Sequence, residues 1–153
     1  MLSRKVVTRS GRGFRGYYPS KKLNRLVEFE SLLERDAIKI FEHSDLVVSY
    51  QEQPKKVYYY DEIEEKKYFP DFQLVMINED VIYVEVKPFY LLQSKIDKYK
   101  AIQAHYRKQK ELFVILTDKE IRNENFHLKN LHKIYRKKFL SREQGDAHDA
   151  VLI

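Results

Sequence analysis

The sequence contains no cysteine and no tryptophan. Without cysteine there is no disulfide framework, no thiolate zinc site and no cysteine nucleophile. No stretch approaches the roughly 18 consecutive apolar residues that a membrane helix needs. The first 20 residues are basic but lack the apolar core of a secretory signal. Gly11-Arg12-Gly13 is not followed by Gly-Lys-Ser/Thr, so there is no phosphate-binding Walker loop, and no Gly-x-Ser-x-Gly elbow occurs. None of the five histidines forms a His-Glu-x-x-His pair, which leaves them as surface or capping residues. What remains is a chain of 153 residues, 43% hydrophobic and 34% charged, with 12 Tyr and 9 Phe. That length suits one domain with a core that folds without staples. A cytoplasmic protein, not membrane-bound, is the expectation.

Charge of one sign is scarce as a total and abundant locally. The balance of 29 basic against 23 acidic residues is only +6, yet the first acid is Glu28. Before it stand Arg4, Lys5, Arg9, Arg12, Arg15, Lys21, Lys22 and Arg25, interleaved with Phe14, Tyr17 and Tyr18. A flexible basic arm over residues 1–26, with Arg9, Arg12, Arg15, Lys21, Lys22 and Arg25 on DNA phosphates, is one reading. A soluble, disordered tail is the other. Lys95, Lys98, Lys100, Lys108 and Lys110 line a later helix, and a further basic run covers residues 129–142. Each is either a nucleic-acid contact or a solvated helix face.

Hydrophobic periodicity predicts a helix over residues 31–43 that begins earlier, near Asn24, with Phe29, Leu33, Ala37, Ile40 and Phe41 on one stripe. Strands are expected at 46–50, 57–60, 72–76, 81–86 and 112–116, with an acidic loop at 61–67. The joint Ile77-Asn78-Glu79-Asp80 predicts an antiparallel hairpin. Helices are expected at 91–108, 118–125 and 128–140, before a loose tail from 141. The order implies an α/β fold with a mixed sheet flanked by helices, the domain occupying residues 27–140.

The chemistry concentrates in Tyr68-Phe69-Pro70-Asp71-Phe72 and Tyr83-Val84-Glu85-Val86-Lys87-Pro88. Strand side chains alternate, so Glu85 and Lys87 share a face while Val84 and Val86 point into the core. A turn near Asn78 brings Asp71 opposite residues 85–87. Two carboxylates and an ammonium then meet at one sheet end, with Glu34 on the helix as a third acid. Hard oxygen ligands of this kind suit magnesium, and a lysine beside it suits orientation of an attacking water. A structural ion pair of Lys87 with Asp71 or Glu85 is the bland alternative. Tyr58-Tyr59-Tyr60 reads as strand packing or as base stacking.

A helix acid, Pro-Asp, then Glu-x-Lys across a hairpin resembles the PD-(D/E)xK nuclease superfamily. Phe29-Glu30-Ser31-Leu32-Leu33-Glu34-Arg35-Asp36 is similar to the Ser-x-Leu-Glu-Arg-Asp helix of TnsA-type transposon endonucleases. Pro19-Ser20-Lys21-Lys22-Leu23-Asn24-Arg25 resembles the segment before that helix. Val47-Val48-Ser49-Tyr50-Gln51-Glu52-Gln53-Pro54 resembles its Gln-Pro strand, and Phe113-Val114-Ile115-Leu116-Thr117-Asp118-Lys119-Glu120-Ile121 its strand-to-helix corner. The blocks run in order from about Val7 to about Arg122, and it is their joint occurrence that is specific.

The resemblance implies a restriction-endonuclease-like core and a metal-dependent DNA endonuclease that cuts the 5′ ends of a transposon. Glu34, Asp71, Glu85 and Lys87 carry over as catalytic positions. Asp71, Glu85 and the Val86 carbonyl, with Glu34, would hold Mg2+ or Mn2+, with Gln53 accessory; Tyr99 and Gln103, one turn apart on the later helix, are accessory candidates by their helical spacing. Some family members have Gln where Glu85 stands, so this chain has the fuller superfamily signature. The implied partners are double-stranded DNA, a transposase subunit, an ATPase regulator and a second copy of the chain. Larger members add a C-terminal winged-helix domain for which these residues leave no room. A Holliday-junction resolvase, a phage DNA-processing nuclease and a non-catalytic DNA-binding subunit are the alternatives.

Overall fold

A computed structural model describes residues 8–9 and 14–128. Arg12, the basic run from 129, the helix expected at 128–140 from its second residue on, and the tail lie outside the described residues. In chain order the elements are strands β1 (Thr8–Arg9), β2 (Phe14–Ser20) and β3 (Arg25–Phe29), helix α1 (Leu32–His43), then strands β4 (Val47–Glu52), β5 (Val57–Tyr60), β6 (Glu65–Tyr68), β7 (Phe72–Met76) and β8 (Val81–Val86). After these come the short helix α2 (Phe89–Leu92), a 3-10 turn (Gln93–Lys95), helix α3 (Ile96–Lys108), strand β9 (Leu112–Leu116) and helix α4 (Asp118–Ile121).

The centre is a mixed four-stranded sheet in the order β4-β7-β8-β9. β4 with β7 and β7 with β8 run antiparallel, and β8 with β9 runs parallel. The parallel pair needs a crossover, which α2 and α3 supply. Alternation then divides the sheet into two faces. Phe72, Leu74, Met76, Ile82, Val84 and Val86 pack with Leu33, Ala37, Ile38 and Phe41 of α1, where Phe41 meets Phe72 edge-on at 5.3 Å. Tyr83, Phe113 and Ile115 face the other way and pack with Tyr99, Ile102 and Tyr106 of α3. Each large side chain buried this way is worth roughly 1.5–3 kcal/mol. The fold is thus α/β with helices on both faces of a mixed sheet, as the element order predicts. No helix among the described residues is long and apolar enough to cross a membrane.

Three expectations are corrected. The first helix does not begin near Asn24. Residues 25–29 form β3, paired antiparallel with β2 from Gly16↔Phe29 to Ser20↔Arg25, with Asn24 in the left-handed region at φ 54° closing the turn. Ser31 is the N-cap, accepting from the Glu34 N–H at 3.0 Å, which is where the chain first satisfies a helix start. The basic arm is therefore a hairpin from Phe14 onward. The loop at 61–67 is likewise structured, since β6 pairs with β5 from Val57↔Tyr68 to Tyr60↔Glu65. The helix expected at 91–108 breaks into α2, a 3-10 turn and α3.

Candidate active site

The β7–β8 hairpin places Asp71 as expected. Phe72 pairs with Val84, so Asp71 stands one step beyond, level with Glu85. Its N–H donates to the Val84 carbonyl at 3.0 Å and its carbonyl accepts the Gln53 N–H at 2.8 Å. Its Oδ2 accepts the Val86 N–H at 2.7 Å. The Asp71 side chain thus occupies the point where the ladder ends, and its backbone is pinned from both neighbouring strands. The Gln53 side chain is exposed, and its contribution here is that backbone N–H.

Glu85 is buried, on the α3 face of β8. Its oxygens are each claimed by a phenol: Oε2 accepts from Tyr68 at 2.5 Å and Oε1 from Tyr99 at 2.6 Å. A buried carboxylate without such donors would cost several kcal/mol. Tyr68 lies at the end of β6, so the β5–β6 hairpin is fastened to the site through this bond. Tyr99 had been expected as an accessory residue; Tyr68 had not. The only sequence signal for Tyr68 is a tyrosine three residues before Asp71 in a strand-like stretch.

Glu34 is the third residue of α1, and one of its oxygens accepts the Glu30 N–H at 2.8 Å. Burial, reinforced by the charges of Glu30, Glu85 and Glu28 and opposed by that N–H, pushes Glu34 up to about 7. Asp71 is raised well above the ordinary carboxylate range, by burial first and then by the charges of Glu85 and Glu34. Tyr68 and Tyr99 are raised too, by burial and the nearby Glu85. The three acids are thus close enough to resist each other's ionisation. Even so, no three His, Cys, Asp or Glu side chains among the described residues are positioned as a ready-made metal cluster.

Lys87 follows Glu85 on the same face and is half-buried, with its Nζ 5.9 Å from the Tyr99 ring centre. Among the described residues it forms no ion pair within 4.0 Å, so the structural ion pair with Asp71 or Glu85 is absent. Lys98 stacks over the same ring at 5.6 Å. Burial and the nearby Lys95 and Lys87 lower its pKa, against the pull of Glu85 and Asp71. Lys95 is exposed. Gln103, one turn after Tyr99, is 7% exposed and its Oε1 has no partner.

The hairpin cations fall into two groups. Lys22 is not free for phosphate: its Nζ donates to the carbonyls of Phe41, Ser44 and Val47 at 2.9, 2.7 and 2.7 Å, closing the C-terminus of α1. Arg25 is committed to Glu52 by a two-pronged contact at 3.0 and 2.7 Å. Arg15, which lies 3.8 Å from Glu30, and Lys21 are exposed. Arg9 is described only as a backbone partner of Phe14. The Thr117 corner forms a capping box with Glu120, and Asp118 accepts the Phe89 N–H at 2.7 Å, fixing the chain just after Lys87.

No protein-family model matches the chain, and none of the curated proteins matches it.

Proposed function

We propose that the protein is a divalent-metal-dependent DNA endonuclease with a restriction-endonuclease-like core. Its most specific assignment is as the 5′-end-cleaving, TnsA-like subunit of a heteromeric transposase. The observation that carries this reading is the pairing of Asp71 with Glu85 across the β7–β8 hairpin. The two carboxyls and Glu34 lie within Coulombic reach of one another, and Lys87 stands on the same face with no ion pair among the described residues.

The residues present fit a hard cation. The donors are all oxygens: the carboxylates of Asp71 and Glu85, the Val86 carbonyl and, from α1, Glu34. Burial raises Asp71 and Glu34 first and the neighbouring acids raise them further, and that further repulsion is what a cation relieves. Magnesium or manganese, when bound, supplies an activated water and offsets phosphate charge. The chain's own residues do the rest. Asp71 holds its place through Val86, and Tyr68 and Tyr99 hold Glu85. Lys87 orients the attacking water and takes up charge on the phosphate. Double-stranded DNA is the substrate in this reading, with Arg15, Lys21, Lys95 and Lys98 as the exposed cations near phosphate; a transposase subunit and an ATPase regulator are the partners.

The test is magnesium-dependent nicking of supercoiled DNA by the wild type, Asp71→Ala and Lys87→Ala, with and without a partner transposase. Loss in both variants is expected; full cleavage by both sinks the reading. A second reading, a DNA-binding subunit with a decayed site, draws on one observation: both Glu85 oxygens are already taken by tyrosines. Calorimetry decides it, since a decayed site takes up no Mn2+ that Asp71→Ala would abolish.

A further inference from the structure

We infer that the outer face of the β5–β6 hairpin is a platform for an unpaired DNA strand, leading it to Asp71. The inference rests on the nuclease reading for its substrate, although the face is defined without it.

Four of the eight large hydrophobic side chains exposed among the described residues stand on this hairpin or its exit: Tyr58 at 43%, Tyr60 at 64%, Ile63 at 83% and Phe69 at 57%. Apolar surface gathered in this way marks a contact. Alternation sorts the hairpin into two sides. Tyr59 and Tyr68 turn inward, to α3 and to Glu85. Tyr58 pairs with Lys67 across the ladder and both are exposed on the opposite side. Lys56, two residues before Tyr58, lies over its ring at 5.7 Å. Phe69 stands outward where the strand leaves for Pro70 and Asp71.

Charge chooses the occupant and its direction. Lys55, Lys56 and Lys67 at the root have no acidic partner among the described residues, whereas Asp61, Glu62, Glu64 and Glu65 make the tip acidic. A polyanion is drawn to the root and repelled from the tip, so it runs toward Asp71. Aromatic rings beside lysines suit stacked bases with adjacent phosphates. A closed duplex offers its bases to no ring from the side. The occupant is therefore a strand splayed at the cleavage point.

The test uses the whole protein in EDTA, where no cleavage occurs, and fluorescence anisotropy with a labelled short single strand and with the blunt duplex of the same sequence. Tyr58→Ala with Phe69→Ala is expected to weaken strand binding about 10- to 100-fold and duplex binding by less than about twofold. Lys56→Gln with Lys67→Gln should lower the slope of log affinity against log salt by about 1.4. Thermal melting verifies that each variant is folded. Strand binding like that of the wild type in both double variants overturns the proposal. So does an equal loss on strand and duplex, or loss of association with a protein partner while strand binding persists. A wild type that binds the strand through this face but nicks nothing in magnesium leaves the platform standing and removes the nuclease reading.

Discussion

Two carboxylate corners flank α1, and they are built to opposite ends. At its C-terminus, Glu42 accepts from Ser20 Oγ at 2.7 Å, the Lys22 N–H at 2.9 Å and Tyr50 OH at 2.6 Å. Burial alone would raise it; the hydrogen bonds override burial and hold it below the ordinary range. At its N-terminus, Glu34 and, across the sheet end, Asp71 receive one N–H each, and both are raised, by burial first and then by the further acids they face. The first corner is a finished network that bolts the β2–β3 hairpin to the helix. The second leaves its acids raised, the state that the proposed cation would relieve. Structural networks satisfy their acids; a site that awaits a cation leaves them in excess.

The largest break in that comparison is Asp71→Asn. It removes a carboxylate at the proposed metal while keeping shape, so nicking should fall by about 1000-fold or more. At a pH above that at which Asp71 ionises, resistance to urea without metal should rise, because a repelled, buried charge is gone. Loss of stability together with intact nicking would make Asp71 structural, like Glu42.

The pH dependence comes next. Glu34 has its ordinary value near 4.5 in the unfolded chain and about 7 when folded. The folded state binds the extra proton between these values. Its contribution is fully present below 4.5 and is lost as pH rises to 7, by about 3 kcal/mol. Urea denaturation of the metal-free protein across that window should show the decline, and magnesium should flatten it. Glu34→Gln should flatten it without magnesium. A curve unchanged by the substitution removes Glu34 from the charged cluster.

Much of this was legible in the sequence, for reasons that differ by residue. The β7–β8 hairpin follows from two apolar runs, 72–76 and 81–86, joined by the turn-forming Ile77-Asn78-Glu79-Asp80, and it brings Asp71 opposite Glu85. The start of α1 was hidden because Phe29 satisfies two periods at once: it alternates with Val27 as a strand and lies four residues before Leu33 as a helix. β6 was read as a loop because Glu65-Lys66-Lys67 are all exposed and carry no apolar alternation. The role of Tyr68 is hidden with it, since its bond to Glu85 depends on that strand. A run of cations cannot say which one meets the end of a helix, so Lys22 looked like its neighbours.

Lys22→Met tests the finished corner. It leaves the carbonyls of Phe41, Ser44 and Val47, between the end of α1 and the start of β4, without their shared donor and should cost about 1–3 kcal/mol. Metal uptake and DNA affinity should not change, as measured by calorimetry and anisotropy beside the urea midpoint. A loss of DNA affinity at full stability would return Lys22 to the DNA-binding group.

The smallest effect is the sharpest, because it sets one tyrosine–carboxylate bond against another of nearly the same length. Tyr50→Phe at Glu42 and Tyr68→Phe at Glu85 each delete one hydroxyl from a short contact, 2.6 Å and 2.5 Å. Each should cost about 1.5–3 kcal/mol of stability, the usual loss for a hydrogen bond to a charged group. They part company in metal uptake. A residue that orients a metal-binding carboxylate typically costs about 10-fold or more in affinity when removed, so Tyr68→Phe should weaken Mn2+ binding by about that factor. Tyr50→Phe should leave it alone. Equal Mn2+ affinities in the two variants would place Tyr68 with Tyr50, as a structural partner of an acid, and would leave Glu85 outside the metal's ligands.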